Sequence, residues 1–153
     1  MTSTTCARLS VGAIHDIDES RVILTDDGRT FFAGTTASGE ALWVVNLDGS
    51  GLDVQVKTGD TLPGSVTALD LKAVGVSKNG NRYAFVADIG GVFEDRLYDG
   101  TTGGSTFAAI AADNAGLPGG GSVVEVHAGG PLLVYDSGSV LWRAQGSLSG
   151  LDD

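Results

Sequence analysis

The stretch ALWVVNLDGSGLDVQVK, residues 41–57, decides the fold. Two runs rich in aliphatic, β-branched and aromatic residues have the length of short β-strands. They flank DGSG at 48–51, whose Asp and Gly residues tolerate the positive φ angles of a hairpin turn. The stretch therefore predicts two antiparallel strands joined by a tight turn.

The same alternation of short apolar runs and glycine-containing turns extends over most of the chain. The first set of predicted strands covers residues 21–25, 30–36, 41–47 and 52–58. A second set covers residues 71–77, 82–88, 95–99 and 105–112. Only AAIAADNAG, at 108–116, has a helix-like composition, and its short length between glycines favours a strand. The sequence predicts an all-β fold built from units of four antiparallel strands.

The two sets superpose as an internal repeat. Asp27-Gly28 falls on Asn79-Gly80 at a separation of 52 residues, and Leu42-Trp43 falls on Leu97-Tyr98 at a separation of 55. The separation drifts inside turns, where insertions cost little free energy. A repeat of about 50 residues with four strands is typical of propeller blades, which must stack to cover both faces of each sheet.

A third, shorter copy follows the first two. The segment 124–135 aligns with 74–85, and Leu141-Trp142 lies 99 residues after Leu42-Trp43. The predicted units form a single domain over 1–153, and the third ends where its fourth strand is expected. Their bounds are blade 1 at about 20–64, blade 2 at about 69–119 and blade 3 at about 123–153.

Two of these turns resemble those of a known family. LTDDGRTFFAG, at 24–34, and VSKNGNRYAFVAD, at 76–88, are similar to the TolB-like, WD-type β-propeller repeat. The resemblance implies a partial ring of about three blades, which would be half of a six-bladed propeller. It also implies a non-enzymatic binding scaffold that presents loops to a protein or peptide partner. If a signal peptide was removed, the resemblance suggests a periplasmic or extracellular location. The chain departs from the family pattern, because the turns lack a proline and HAGG stands at 127–130 where Asp-Gly is expected.

The segment ARLSVGAIHDI, at 7–17, alternates like a strand and precedes the first unit. We expect it to supply the missing fourth strand of the third blade. If it does so in trans, two chains complete one six-bladed ring and the protein is a homo-oligomer. The alternative is a fragment of a larger propeller, whose exposed sheet edges and faces would promote association.

Charge and composition limit the partners. The chain has 9 Lys and Arg against 19 Asp and Glu, a net charge of −10, which disfavours binding to nucleic acid and to anionic membranes. No apolar run approaches the roughly 18 residues of a membrane span, so no membrane insertion is expected. Cys6 is the single cysteine and forms neither an internal disulfide nor a zinc framework.

Residues with catalytic or metal-binding potential are sparse. His15 and His127 have no nucleophile elbow nearby, so no enzyme activity or catalytic residue is expected. GLPGGGS, at 116–122, lacks the Lys-Ser/Thr pair of a phosphate-binding loop and is interpreted as a connection between blades. Asp16, Asp18 and Glu19 do not match the EF-hand spacing and are interpreted as a solvated loop rather than a calcium site. No cofactor or metal is therefore expected.

Three aromatic residues, Trp43, Tyr98 and Trp142, recur at positions that the repeat makes equivalent. They are either core residues packed between blades or platforms on which sugar rings stack. The second interpretation supports an alternative function, a carbohydrate-binding propeller assembled from partial rings. A further alternative is the propeller fragment of a larger peptidase, whose catalytic domain would lie outside this sequence.

Overall fold

The computed structural model describes residues 13–90, 94–112, 116, 122–126 and 132–147. Within these residues every regular element is a β-strand, which confirms the all-β class. The strands are β1 (Ile14–Leu24), β2 (Arg29–Thr36), β3 (Gly39–Asn46), β4 (Asp53–Lys57), β5 (Thr61–Leu62), β6 (Val66–Thr67), β7 (Asp70–Val76), β8 (Arg82–Asp88), β9 (Asp95–Thr101), β10 (Phe107–Ala112), β11 (Ser122–Val126), β12 (Leu133–Val134), β13 (Val140–Leu141) and β14 (Ala144–Ser147).

Eight of these strands form two separate four-stranded antiparallel sheets. The first sheet has the order β1-β2-β3-β4, and the second has the order β7-β8-β9-β10. The short hairpin of β5 and β6 lies between them in the chain. The predicted four-strand units are present, and the segment around Ala108 is a strand, as predicted.

Glycine turns set the register of both sheets. Gly28 and Gly80 have φ angles of 81° and 68°, which residues with a Cβ rarely adopt. Each glycine N–H donates to the carbonyl three residues earlier, Thr25 O at 3.1 Å and Ser77 O at 2.9 Å. The turns hold β1 against β2 and β7 against β8. In each, the N–H of the residue before the turn, Thr25 or Ser77, donates to the carbonyl oxygen of the arginine that begins the next strand, Arg29 or Arg82.

A third turn of the same construction lies at residues 135–139. Gly138 has a φ angle of 89°, and its N–H donates to Tyr135 O at 2.9 Å. This turn joins β12 to β13, and the pairing of β11 with β14 continues the same hairpin further from the turn. We call residues 122–147 the third unit. Its described strands correspond to the first and second strands of the complete sheets.

This geometry corrects the alignment of the third copy. Leu141 pairs with Leu133 across the hairpin, so Leu141-Trp142 lies on the second strand of the unit and not on the third. The alignment was wrong because it placed HAGG, at 127–130, opposite the turn that contains Gly80. The turn of the third unit is instead formed by Asp136-Ser137-Gly138. Residues 127–130 lie outside the described residues. The number of blades remains a prediction.

Residues 14–17 also differ from the role expected for them. Ile14, Asp16 and Ile17 pair with β2, so they belong to the first sheet of their own chain and do not close another unit. Residues 7–12 lie outside the described part of the chain.

The first and second sheets are packed face to face. We call the face of each unit that points towards the next unit in the chain its forward face, and the opposite one its back face. The forward face of the first sheet and the back face of the second form one buried cluster. It contains Phe31, Leu42, Val44 and Val56 from the first sheet and Tyr83, Phe85 and Tyr98 from the second. The Tyr83 hydroxyl donates across this interface to Gln55 O at 2.9 Å.

The second sheet packs on the third unit in the same orientation. Its forward face contributes Ala84, Val86 and Leu97, and the back face of the third unit contributes Val123, Val126 and Val134. Gly75 lies at the closest approach, because a Cβ built there would be 2.2 Å from Leu132 O. All three units are therefore stacked with one polarity.

Replacement of Phe85 tests the first interface. Phe85 is fully buried, and its ring lies 5.5 Å from that of Tyr98 and 5.4 Å from that of Phe107. We expect Phe85→Ala to lower the free energy of unfolding by about 3–5 kcal/mol through lost burial and a cavity. Leu24→Ala, at an exposed position, should change it by less than about 0.5 kcal/mol. Urea denaturation measures both, and similar losses for the two variants would contradict this packing.

Replacement of Gly75 tests the second interface. Gly75→Ala should push the third unit away from the second sheet and lower the free energy of unfolding by about 1–3 kcal/mol. Gly116→Ala is the control, because a Cβ at Gly116 meets nothing within 4 Å. Hydrogen exchange should quicken around Leu132–Val134 in the first variant alone. Unchanged exchange in Gly75→Ala would show that the two units do not touch at this point.

Candidate functional site

The three glycine turns lie side by side and form a row across the stacked units. We call residues 25–29, 77–82 and 135–139 the turn row. The Asp26 N–H donates to Lys78 O at 2.8 Å, and the Asn79 N–H donates to Asp136 Oδ1 at 2.9 Å. Each turn is therefore hydrogen-bonded to the next, and the row is fixed relative to the sheets below it.

An arginine at the start of the second strand of each complete sheet, Arg29 and Arg82, strengthens the row. The Arg29 side chain donates to Asn81 Oδ1 at 3.1 Å in the neighbouring turn. A Cβ at Gly80 would be 3.0 Å from Arg29 Nη2, and a Cβ at Gly138 would be 3.1 Å from Arg82 Cζ. Both arginines thus lie against the glycine of the following turn, where a larger residue would displace them.

Side-chain hydrogen bonds inside the turns fix their conformation. The Thr25 hydroxyl donates to Asp27 Oδ1 at 2.6 Å, and the Ser77 hydroxyl donates to Asn79 Oδ1 at 2.9 Å. The hydrogen bond from Arg29 holds the pKa of Asp27 below its usual value, so this carboxylate stays charged. The same Asp and Asn oxygens also accept local backbone N–H groups, from Arg29 at 3.3 Å and from Asn81 at 3.0 Å.

The surface of the row carries charges of both signs. Lys78 and Asp26 are 78% and 64% exposed and form an ion pair of 3.1 Å. Asp136 is exposed beside them. Exposed charges on a fixed backbone form a surface that can be recognised without prior ordering of a loop.

Arg21 joins the first two sheets far from the turn row, near the start of β7. It lies where β1 bulges, and its guanidinium donates to Leu71 O at 2.6 Å and to Glu40 Oε1 at 3.1 Å. Its Nε also donates to Asp18 Oδ2 at 2.5 Å. Burial raises the pKa of Glu40; the hydrogen bond from Arg21 opposes this effect, and the nearby Asp70 carboxyl adds to it.

Two of the three predicted binding aromatics are core residues. Trp43 and Tyr98 are fully buried, and they stack at 5.5 Å on Phe32 and Phe85 of the adjacent second strands. Their equivalence, inferred from the repeat, agrees with this pairing. Neither ring is available to a sugar.

Trp142 has a different environment. It is partly buried against the cluster between the second sheet and the third unit. Counted from the turn glycine, it occupies the position of Phe32 and not that of Trp43, as the hairpin pairing shows. The three aromatics therefore do not form one repeated ladder.

The other sequence candidates are not brought together. His15 is exposed on β1, and Asp18 of the acidic segment is bonded to Ser20 and Arg21. Within the described ranges no three His, Cys, Asp or Glu residues are grouped so that they could hold a metal ion. Cys6, His127 and residues 117–121 lie outside the described part of the chain.

Comparison with known proteins finds no family model, no curated protein and no solved structure that matches this chain.

None of the described residues forms a helix with the length and apolar character needed to cross a membrane.

Glu40 predicts a pH dependence of stability. Because its pKa is raised on folding from an ordinary value of 4.5, the folded state binds more protons than the unfolded state just above that pH. The contribution of Glu40 to the free energy of unfolding should therefore fall as the pH rises through its raised pKa. Glu40→Gln should remove this fall, as measured by urea denaturation at a series of pH values.

Asp48→Asn is the control for this measurement. A hydrogen bond from Ser50 lowers the pKa of Asp48 below 3.8, so its contribution changes only in more acidic solution. Identical profiles for the wild type and Glu40→Gln above pH 4.5 would contradict the role of Glu40.

Proposed function

We propose that this protein is a non-enzymatic binding scaffold that presents the turn row to a protein or peptide partner. The observation that carries the proposal is the hydrogen bonding between successive turns, from Asp26 to Lys78 and from Asn79 to Asp136. These bonds order the backbone of the row before any partner arrives, which lowers the entropy cost of binding.

The chemistry of the row favours a charged polypeptide. Lys78 is in the middle turn of the row, and the turns on either side carry Asp26, its ion-pair partner, and Asp136, so a partner meets charges of both signs. Complementary charges give such a contact specificity and speed rather than great affinity. The resemblance to TolB-like propeller repeats, carried by residues 24–34 and 76–88, supports the same class of function.

The carbohydrate-binding alternative is not favoured by the described residues. It requires exposed rings at Trp43, Tyr98 and Trp142, whereas the first two are fully buried and the third is partly buried.

A peptide selection tests the proposed function. A library of random peptides is selected on the immobilised protein, and the affinity of each selected peptide is measured by fluorescence anisotropy. Lys78→Glu should weaken binding at least about tenfold, because it reverses the central charge of the row. Lys57→Glu is the matched control, since Lys57 is also an ion-paired, partly exposed lysine but lies on β4. Equal affinities for Lys78→Glu and the wild type, or a selection that yields no binding peptide, would overturn the proposal.

A further inference from the structure

Among the described residues, the second strand of the third unit has only one neighbouring strand. In the complete sheets, β2 lies between β1 and β3, and β8 lies between β7 and β9. In the third unit, β13 and β14 pair with β12 and β11, and no strand in the described part of the chain pairs with their other edge. An edge of this kind can accept an additional strand through main-chain hydrogen bonds.

The forward face of the third unit is also uncovered. Leu133 and Leu141 are cross-strand partners and occupy the positions of Ile23 and Phe31 in the first sheet. Phe31 is 0% exposed because the second sheet covers it, whereas Leu133 and Leu141 are 49% and 55% exposed. Tyr135, at the adjoining turn, is 50% exposed. This face therefore has the same positions as the forward face of the first sheet, but its leucines are exposed where Phe31 is covered.

We propose that the edge of β13 and β14, together with the Leu133 and Leu141 face, binds an extended segment of another polypeptide as a third strand. The complete sheets define its pattern. Their third strands place Trp43 beside Phe32 and Tyr98 beside Phe85. The segment therefore carries alternating apolar residues and an aromatic residue opposite Trp142, which occupies the position of Phe32.

The charge of this protein indicates where the bound segment carries its positive residues. The protein carries a net charge of −10, so a cationic segment is attracted to it. Arg143 is exposed beside the edge and repels a cation placed directly opposite it. The positive residues of the partner belong at its ends, and its centre is uncharged.

A second copy of this chain fits the surface less well. In the stack, a forward face is covered by the back face of the next unit. The back face of the first sheet has Phe32, Ala41 and Trp43 at 8%, 1% and 0% exposure, so its centre is already covered. Two chains of charge −10 also repel each other.

A synthetic peptide tests this surface. The probe is a fluorescein-labelled peptide of about ten residues, with alternating valine and threonine around one tryptophan and two lysines at each end. We expect saturable binding by fluorescence anisotropy, weakened at least about tenfold by Leu141→Asp, which places a charge on the apolar face. Leu47→Asp is the matched control, because Leu47 is an exposed leucine at the end of β3 and should leave binding unchanged. Leu133→Asp repeats the test if Leu141→Asp does not fold.

Two further measurements distinguish strand addition at this edge from binding of the probe elsewhere on the protein. A probe with N-methyl groups on alternate residues cannot donate the main-chain hydrogen bonds and should bind at least about tenfold more weakly. Lys78→Glu should leave binding of the probe unchanged, since Lys78 lies in the turn between β7 and β8 and not on the third unit. Equal binding of the methylated and unmethylated probes would overturn the proposal. So would a dimer in light scattering that Leu141→Asp dissociates, because the occupant would then be a second copy.

Discussion

Burial of apolar sheet faces between successive units is the interaction on which the rest of the structure depends. A four-stranded sheet of this length has two apolar faces, and each leaves water by packing against another part of the protein. Phe31 and Phe85 belong to the buried cluster at the first interface, and Ala84 and Val134 belong to the cluster at the second. Polar groups inside the first interface are hydrogen-bonded to each other. Gln55 accepts the Tyr83 hydroxyl with its backbone oxygen and the Gly103 N–H with its side chain. Burial raises the pKa of Tyr83, so this hydroxyl remains a donor.

Charged side chains fix the angle at which the first two sheets meet. Arg29 bonds to the second sheet at the turn end of β7, and Arg21 bonds to Leu71 O near its start. Both arginines belong to the first sheet. Each donates a hydrogen bond to an uncharged oxygen of the second sheet, a backbone carbonyl for Arg21 and a side-chain carboxamide for Arg29. Apolar contacts alone are not directional, so they allow one sheet to shift against the other. Hydrogen bonds from the two arginines near the two ends of β7 limit that shift. The fixed angle in turn brings the first two turns into line, and the bond from Asn79 to Asp136 adds the third.

The strands and the first two units could be predicted from the sequence because their determinants are local. Strand runs and glycine turns lie within a few residues of each other, and the repeat identified Trp43 and Tyr98 as equivalent. The third unit was aligned wrongly because two glycine-bearing segments, 127–130 and 136–138, competed for one turn. Only the pairing of Leu133 with Leu141 distinguishes them. The turn row was missed because its bonds join residues about fifty positions apart. The available signal was an arginine after each of the first two turn glycines, Arg29 and Arg82.

The connectivity of the two complete sheets has a consequence for how the chain folds. Every strand in them pairs with the strand that precedes or follows it in sequence, so each hairpin closes a short loop at a small entropic cost. Each sheet can reach its register before it meets the other. Docking of the two sheets joins residues about fifty positions apart, such as Phe31 and Phe85, so this step carries the larger loop-closure cost.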